Sequence, residues 1–164
     1  LVAEKGYPEL IAAAAQLDER FVFLAIGPED PEKADALGAD FAARAADAGV
    51  QLLGMRTDVD RLYPAMDLFV LPSQREGISN TILEAMATGL PVVAAASGAI
   101  PEILGPAGIL VPPADFMAVE EALKRLLSNP GERERLSRLG RKRAEARFDS
   151  RKNAGLLETV YREL

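Results

Sequence analysis

Two glutamates, Glu76 and Glu84, stand eight residues apart in the stretch LFVLPSQREGISNTILEAMATGLPVVAAA, which covers residues 68–96. The 164 residues contain no histidine and no cysteine. Catalysis by a Ser-His-Asp triad or a cysteine nucleophile, and metal sites with thiolate or imidazole ligands, are therefore excluded for this chain. Any chemistry that it supports has to use carboxylates, lysine or arginine side chains, and backbone amides.

The elements around the two glutamates form a strand–helix–strand unit. Residues 68–71 are an apolar run that is typical of a buried parallel strand, and Pro72 ends it. Residues 73–79 form a polar loop, after which Ser79 or Asn80 can cap an apolar-faced helix. A second buried strand begins at Val92. The loop therefore opens at the carboxyl end of a strand, where open α/β sheets bind their ligands.

The rest of the chain repeats this alternation of apolar runs and helical patterns. Further strands are predicted at 21–26, 50–53 and 108–111. The predicted helices cover 8–16, 34–48, 58–66, 80–88, 116–127, 132–148 and 151–164. Tyr63 is predicted to face inward from the helix at 58–66, and Asp115 to cap the helix at 116–127. Strands that alternate with helices predict an α/β fold, a Rossmann-like doubly wound parallel sheet flanked by helices.

Composition limits the partners of the chain. Its 19 lysines and arginines stand against 25 aspartates and glutamates, which gives a net charge of −6 and a pI near 4.8. Such a chain repels nucleic acid, so no nucleic-acid partner is expected. Its length is that of one domain with a substantial core.

The central stretch also resembles a known family. REGISNTILEAMATGLPVV is similar to the donor-binding signature of the family 4 retaining glycosyltransferases, in which seven residues separate two glutamates. Four more segments match in the family's order: EKG, FLAIG, VQLLGMRTDVDRLYPAMDLFVLPS and GILVPPAD, at residues 4–6, 23–27, 50–73 and 108–115. The resemblance thus extends through most of the chain.

The resemblance implies that the chain is one half of a two-domain glycosyltransferase of GT-B architecture. Residues 1–164 would be its C-terminal domain, which binds the nucleotide-sugar donor, and an N-terminal acceptor domain would lie outside this chain. Transfer would go from a nucleoside-diphosphate sugar, with retention at the anomeric carbon and no essential metal or other cofactor. The acceptor would be a glycan, a lipid-linked molecule or a small molecule.

It also implies where and how the chain works. The whole enzyme would be cytoplasmic or peripheral at the inner membrane surface. The chain by itself would bind nucleotide but transfer little or nothing, because such enzymes act where two domains close on each other.

The resemblance places two residues at the reacting sugar. Lys5, in the EKG segment, would contact the diphosphate and stabilise the charge that grows as it leaves. Glu76 would lie near the hydroxyls of the transferred sugar, with the amides of Gly77 and Ile78 beside it. The arginine that the family has a few residues before Lys5 lies outside this chain.

The remaining predicted site residues bind the nucleotide. Glu84 would accept hydrogen bonds from both ribose hydroxyls, as the acidic residue of dinucleotide folds does. Asn80 and Thr81, at the start of the helix, would face the diphosphate. Arg56 would contact phosphate or stack on the base, and Gly27 would line the same cleft.

Other functions stay open at this point. One is a non-catalytic nucleotide-binding or interaction module, which could self-associate through the apolar residues of 156–164. Another is half of a nucleotide-sugar epimerase, although such enzymes usually employ a histidine. The chain also has Ser97-Gly98-Ala99 where the family commonly has two glycines, so the identity of the donor sugar is not predicted.

Overall fold

The computed structural model describes residues 2–28, 37–38 and 40–162, with the backbone alone for residues 156–158 and 160. The strands that these residues form are β1 (Phe23–Ile26), β2 (Val50–Gly54), β3 (Phe69–Leu71), β4 (Val92–Ala95) and β5 (Ile109–Val111).

Helices connect and follow these strands. They are α1 (Tyr7–Ala14), α2 (Phe41–Asp47), α3 (Val59–Leu62), α4 (Asn80–Thr88), α5 (Ile100–Leu104), α6 (Phe116–Ser128), α7 (Pro130–Arg147) and α8 (Ser150–Arg162). Short 3₁₀ turns cover residues 3–5, 63–65 and 105–107. No helix within the described ranges is long and apolar enough to cross a membrane.

Every strand pairing among the described residues is parallel, which confirms the predicted parallel α/β class. The described strands form two sheets: β1 pairs with β2, and β3, β4 and β5 form a second sheet in that order. Within the second sheet Val70 stands opposite Val93, and Val93 stands opposite Ile109.

Helices cover both faces of the larger sheet, as a doubly wound fold requires. Val92 and Ala94 of β4 point into one core cluster, which α4 and α5 complete with Ile82, Met86, Ile100 and Leu104. Val93 and Ala95 point the other way, into a cluster with Val119, Leu123 and Leu126 of α6. All four β4 side chains are essentially inaccessible to solvent, so β4 is the central strand of the core.

Helix α1 packs on both sheets. Its Ala13 belongs to the cluster formed by β4 and α6. Its Ile11 and Ala14 belong to a third cluster, with Ala25 of β1 and Val50 of β2. The apolar face of this one helix therefore links the two sheets.

The helix predicted at 34–48 begins later than expected. Residues 34–36 and 39 lie outside the described residues, and residues 37 and 38 are not helical. The helix begins at Phe41, whose N–H donates to the Gly38 carbonyl in the turn that precedes it. Glycine is a poor helix former, which explains the late start.

The helix predicted at 58–66 is divided. Its α-helical part ends at Leu62, and a 3₁₀ turn at 63–65 follows. Pro64 lies in that turn, where its lack of an N–H and its fixed φ favour a break in the α-helical ladder.

Side chains cap the N-termini of α6 and α7. Asp115 accepts a hydrogen bond from the Ala118 N–H at 3.0 Å, which confirms its predicted role at the start of α6. Asn129 caps α7 by accepting from the Glu132 N–H at 3.0 Å. Helix α7 therefore begins at Pro130, two residues before the predicted start, because proline suits the first turn of a helix.

The last predicted helix is confirmed as α8. Its predicted apolar stripe falls mostly on side chains outside the described set, namely Leu156, Leu157, Val160 and Leu164. Tyr161 of the same stripe is 69% exposed.

Candidate functional site

A cleft of about 950 Å³ opens at the carboxyl ends of β1 and β3 and continues between the two strands. Most of the predicted site residues line it: Lys5, Gly27, Glu76, Ile78, Asn80, Thr81 and Glu84. Gly77 lies in the same loop as Glu76 but is not part of the cleft wall, and neither is Arg56. The fold thus brings segments from three parts of the chain to one concave surface.

Lys5 and Glu76 form an ion pair at one end of this surface. The Lys5 Nζ donates to Glu76 Oε1 at 2.8 Å, although the two residues are 71 positions apart. The Lys5 side chain is 39% exposed and that of Glu76 only 12%. Lys5 stands just before α1 and Glu76 follows β3, so the pair joins two separate loops.

Hydrogen bonds to the backbone hold the loop that carries Glu76. The Gln74 N–H and the buried Ser73 hydroxyl both donate to the Glu4 carbonyl, at 2.8 and 3.2 Å. The Ser97 hydroxyl, also buried, donates to the Ser73 carbonyl at 2.8 Å. These bonds fix the loop after β3 against the segment of Lys5 on one side and the loop after β4 on the other.

Two glycines allow the loops to approach this closely. Gly6 has φ of +77°, and a Cβ there would lie 2.2 Å from the Pro72 carbonyl oxygen. Gly98 has φ of +52°, and a Cβ there would lie 1.7 Å from the Glu76 carbonyl oxygen. Any larger residue would have to push the loop that carries Glu76 away.

The N-terminus of α4 faces the cleft between the two glutamates. Ser79 is the N-cap, and its hydroxyl lies 3.0 Å from that of Thr81 rather than on a backbone amide. The Leu83 N–H is the donor to the Ser79 carbonyl, so the amides of residues 80–82 precede the helical ladder. A helix start of this kind attracts anions through its free amides and its dipole.

Glu84 lies one turn further along α4 and contacts Tyr63. The Tyr63 hydroxyl donates to Glu84 Oε2 at 3.0 Å, while the tyrosine as a whole is only 2% exposed. Burial, and then the bond to the carboxylate, raise the pKa of the Tyr63 hydroxyl, which keeps it a donor. A carboxylate has about four acceptor positions, so one bond from Tyr63 leaves capacity for a diol.

Hydrogen bonds join the end of β1 to the end of β2 and to α1 beside the cleft. The Gly27 N–H donates to the Gly54 carbonyl at 3.0 Å, and the Tyr7 hydroxyl donates to the Ile26 carbonyl at 3.3 Å. Arg56, in the turn after β2, forms two bonds to the Asp58 carboxylate at 2.8 and 2.7 Å. The Arg56 guanidinium lowers the pKa of Asp58.

Sequence reasoning missed four residues that shape this site. Tyr63 was correctly predicted to face the core, but its hydrogen bond to Glu84 was not predicted. Sequence reasoning gave no role to Ser73, and it noted Gly98 and Ser97 only as departures from the family pattern. No local pattern signals these contacts, because each depends on a segment at least 21 residues away.

No group of three or more acidic side chains that could hold a metal ion exists among the described residues. The expectation that no metal is essential stays a prediction.

Comparison with known proteins places the chain in a family. The family "Glycosyl transferases group 1" matches residues 1–129. The capsular polysaccharide biosynthesis glycosyltransferase CapM of Staphylococcus aureus is 31% identical over 98% of this chain and 43% of its own length. The chain therefore spans less than half the length of this relative.

Two solved structures share the fold. HepE of Anabaena, in complex with UDP and glucose, is 25% identical with a TM-score of 0.86, over 100% of this chain and 46% of that one. The C-terminal domain of LpcC from Francisella tularensis, described as a group 1 family glycosyl transferase, is 25% identical with a TM-score of 0.81, over 92% and 83%. The chain belongs to the group 1 glycosyl transferases, and its fold is that of the C-terminal domain of a GT-B glycosyltransferase.

Proposed function

We propose that this chain is the donor-binding domain of a retaining, family 4-type glycosyltransferase that uses a nucleoside-diphosphate sugar. The observation that carries the proposal is that Lys5, Glu76, the N-terminus of α4 and Glu84 line one cleft. Lys5 and the helix dipole suit the diphosphate of such a donor, Glu76 suits the hydroxyls of its sugar, and Glu84 suits its ribose.

The diphosphate lies between Lys5 and the start of α4. The helix dipole contributes about 0.3–2 kcal/mol toward an anion at this position. Lys5 is half exposed and already held near the site by Glu76, so it turns from the carboxylate to the phosphate with a small movement. Its positive charge then stabilises the leaving diphosphate as the bond from the anomeric carbon to the phosphate oxygen breaks.

Glu76 binds hydroxyls of the transferred sugar. Its side chain is mostly buried and its loop is fixed by backbone hydrogen bonds, so its carboxylate is already in position before the donor arrives. The amides of Gly77 and Ile78 follow in the same loop. The acceptor oxygen forms the new bond on the same face of the sugar, which retains the anomeric configuration.

Glu84 binds the ribose diol. Tyr63 holds one of its oxygens and orients the carboxylate. The base lies beside the ends of β1 and β2, near Gly27, and Arg56 is within the turn that borders this region.

The acceptor and the second domain come from outside this chain. Because the chain spans 43% of CapM and 46% of the HepE chain, we propose that an N-terminal acceptor domain completes the enzyme. CapM is named for capsular polysaccharide biosynthesis and HepE contains UDP and glucose, which supports a UDP-sugar donor and a glycan acceptor. No essential metal and a cytoplasmic or peripheral membrane location are part of the same proposal.

Calorimetric titration of residues 1–164 with UDP, GDP and ADP tests the donor site. We expect one nucleotide to bind and Glu84→Ala to weaken that binding at least tenfold, whereas Glu134→Ala, an exposed glutamate of α7, leaves it unchanged. The same preparation should show no sugar transfer to an acceptor. Failure of all three nucleotides to bind would favour the non-catalytic interaction module, and transfer by the chain alone would show that no second domain is required.

A further inference from the structure

The short helix α5 connects helix α7 to the loop of residues 73–79 that carries Glu76, which we call the Glu76 loop. At the start of α5, the Ala99 N–H donates to the Gly77 carbonyl at 3.4 Å, and Gly98 lies against the Glu76 carbonyl. The helix then runs for five residues, a length of about 7.5 Å. A helix this short has little stability of its own, so its neighbours have to hold it in place.

Apolar packing holds one side of α5. Its Ile100, Ile103 and Leu104 are buried in the core cluster that also contains Ala144 of α7. Apolar contacts are non-directional, however, and packed helices can slide past one another by small amounts. A directional contact is therefore needed to fix α5 along its own axis.

Arg143 of α7 supplies a directional contact at the carboxyl end of α5. Its Nε donates to the Ile103 carbonyl at 2.7 Å, and its Nη2 donates to the Glu102 carbonyl at 2.6 Å. Carbonyls in the last turn of a helix have no partner within the helix, and a cation at this end also suits the helix dipole. A Cβ on Gly105 would lie 2.8 Å from the Arg143 Cζ, so the guanidinium lies directly against the residue that follows α5.

Arg143 differs from the exposed arginines of α7 in its choice of partners. Arg138 and Arg141 pair with glutamates of the same helix. Both bonds of Arg143 go to backbone carbonyls of another helix, and no carboxylate among the described residues pairs with it. A planar guanidinium that donates to two successive carbonyls fixes the distance and the orientation of the helix that carries them.

We propose that Arg143 is a positioning residue for the sugar part of the site. It holds α5 at the axial position in which Gly98 and Ala99 fix the Glu76 loop, and it acts from a distance because it does not line the cleft. The inference rests on the proposed function for the role of Glu76 in binding the sugar. The nucleotide part of the site, at Glu84, does not depend on this contact.

Arg133 provides a matched control on the same helix. Like Arg143 it is half-buried, has no carboxylate partner among the described residues, and donates to two carbonyls at the end of a helix. These are the carbonyls of Leu126 and Leu127 in α6, at 2.6 and 3.0 Å. Helix α6 packs on the other face of β4 and carries none of the predicted site residues. Removal of either guanidinium therefore takes the same kind of bonds from the fold, but only Arg143 is linked to the Glu76 loop.

The test compares Arg143→Gln with Arg133→Gln in residues 1–164, and Arg143→Lys with Arg133→Lys if a glutamine variant does not fold. Hydrogen exchange measured by NMR follows the amides of Gln74 and Ala99, which bond across the loops, with amides of β4 as the reference for a folded protein. Calorimetry gives the affinities for UDP and UDP-glucose. GDP with GDP-mannose, or ADP with ADP-glucose, replaces this pair if that base is the one that binds.

We expect Arg143→Gln to speed exchange of both amides about tenfold and to weaken UDP-glucose about fivefold or more, while the affinity for UDP stays within about twofold. Arg133→Gln should lower Tm by a similar amount but leave both exchange rates and both affinities as in the natural protein.

Two results would overturn the proposal: equal exchange of these amides in the two variants, or equal weakening of UDP and UDP-glucose by Arg143→Gln. Failure of the natural protein to bind any of the nucleotides would instead contradict the proposed function. The exchange rates would then still decide whether Arg143 holds the Glu76 loop.

Discussion

The two ion pairs near the cleft differ in how far apart their residues stand in the chain. Arg56 and Asp58 are two positions apart in one exposed turn. Lys5 and Glu76 are 71 positions apart, and the Glu76 side chain is mostly buried. The first pair forms wherever its turn forms, whereas the second exists only when two loops are brought together.

This difference separates a charge pair that forms locally from one that the tertiary fold assembles beside the cleft. Arg56 has two bonds to its neighbour, and both partners are in solvent, so the pair adds little to the fold. Lys5 and Glu76 instead lie where four backbone-directed contacts, from Ser73, Gln74, Ser97 and Gly98, lock the loops. Substitutions that affect the second pair should therefore have the larger effects.

The largest effect is expected for Gly98→Ala. The new methyl group would lie 1.7 Å from the Glu76 carbonyl oxygen, in addition to the strain of a positive φ. We expect about 3 kcal/mol of lost stability, together with loss of nucleotide binding. Denaturant unfolding and calorimetry measure the two effects.

Gly49→Ala is the matched control for Gly98→Ala. Its φ is +73°, and nothing lies within 4 Å of the added Cβ. Gly49→Ala should lower the free energy of unfolding by only about 1 kcal/mol, through backbone strain alone. Equal losses of stability in the two variants would show that the Glu76 carbonyl does not lie close to Gly98 in solution.

Lys5→Met is expected to come second. It would remove the proposed charge-assisted bond to the diphosphate, which should weaken the binding of UDP, or of whichever nucleoside diphosphate binds, by about 10- to 100-fold. The corresponding nucleoside, which has no phosphate, should bind equally to both proteins. Lys124→Met, on the exposed face of α6, is the control and should change neither affinity.

Tyr63→Phe should have a smaller effect that depends on pH. Loss of the hydrogen bond to Glu84 should lower the free energy of unfolding by about 1 kcal/mol at neutral pH. The folded protein raises the pKa of Tyr63 above the ordinary value of 10.0, so the unfolded chain releases this proton first as the pH rises. The contribution of the protonated hydroxyl is therefore complete below pH 10 and is lost above it.

The pH dependence of unfolding checks the role of Tyr63. The natural protein should lose stability more steeply than Tyr63→Phe above pH 10, and the two curves should run parallel between pH 7 and 9. Parallel curves through pH 11 would mean that Tyr63 titrates in the folded protein as it does in the unfolded chain.

Arg56→Ala is expected to have the smallest effect. Its exposed bonds to Asp58 come from a residue two positions away, so Tm should not change measurably. Nucleotide affinity should fall less than threefold, because Arg56 does not form part of the cleft wall. A tenfold loss would show that Arg56 leaves Asp58 to contact the ligand, as the sequence resemblance predicts.

Local patterns in the sequence were sufficient for the class of the fold and for most of its elements. The alternation of apolar runs with helical patterns predicted five parallel strands, and a side chain of the right type predicted the cap of α6 at Asp115. The predicted helix boundaries were wrong where a helix-breaking residue lies inside a helical pattern, at Gly38 and Pro64. Strand and helix patterns, caps and helix breakers are all local signals, because each depends on neighbours within about four residues.

The tertiary structure alone decided how the site is assembled. The bond from Tyr63 to Glu84, the bond from Ser97 to Ser73 and the approach of Gly98 to Glu76 join residues 21 to 24 positions apart. Such contacts have no periodicity in the sequence, because they arise from the packing of whole helices and strands on one another.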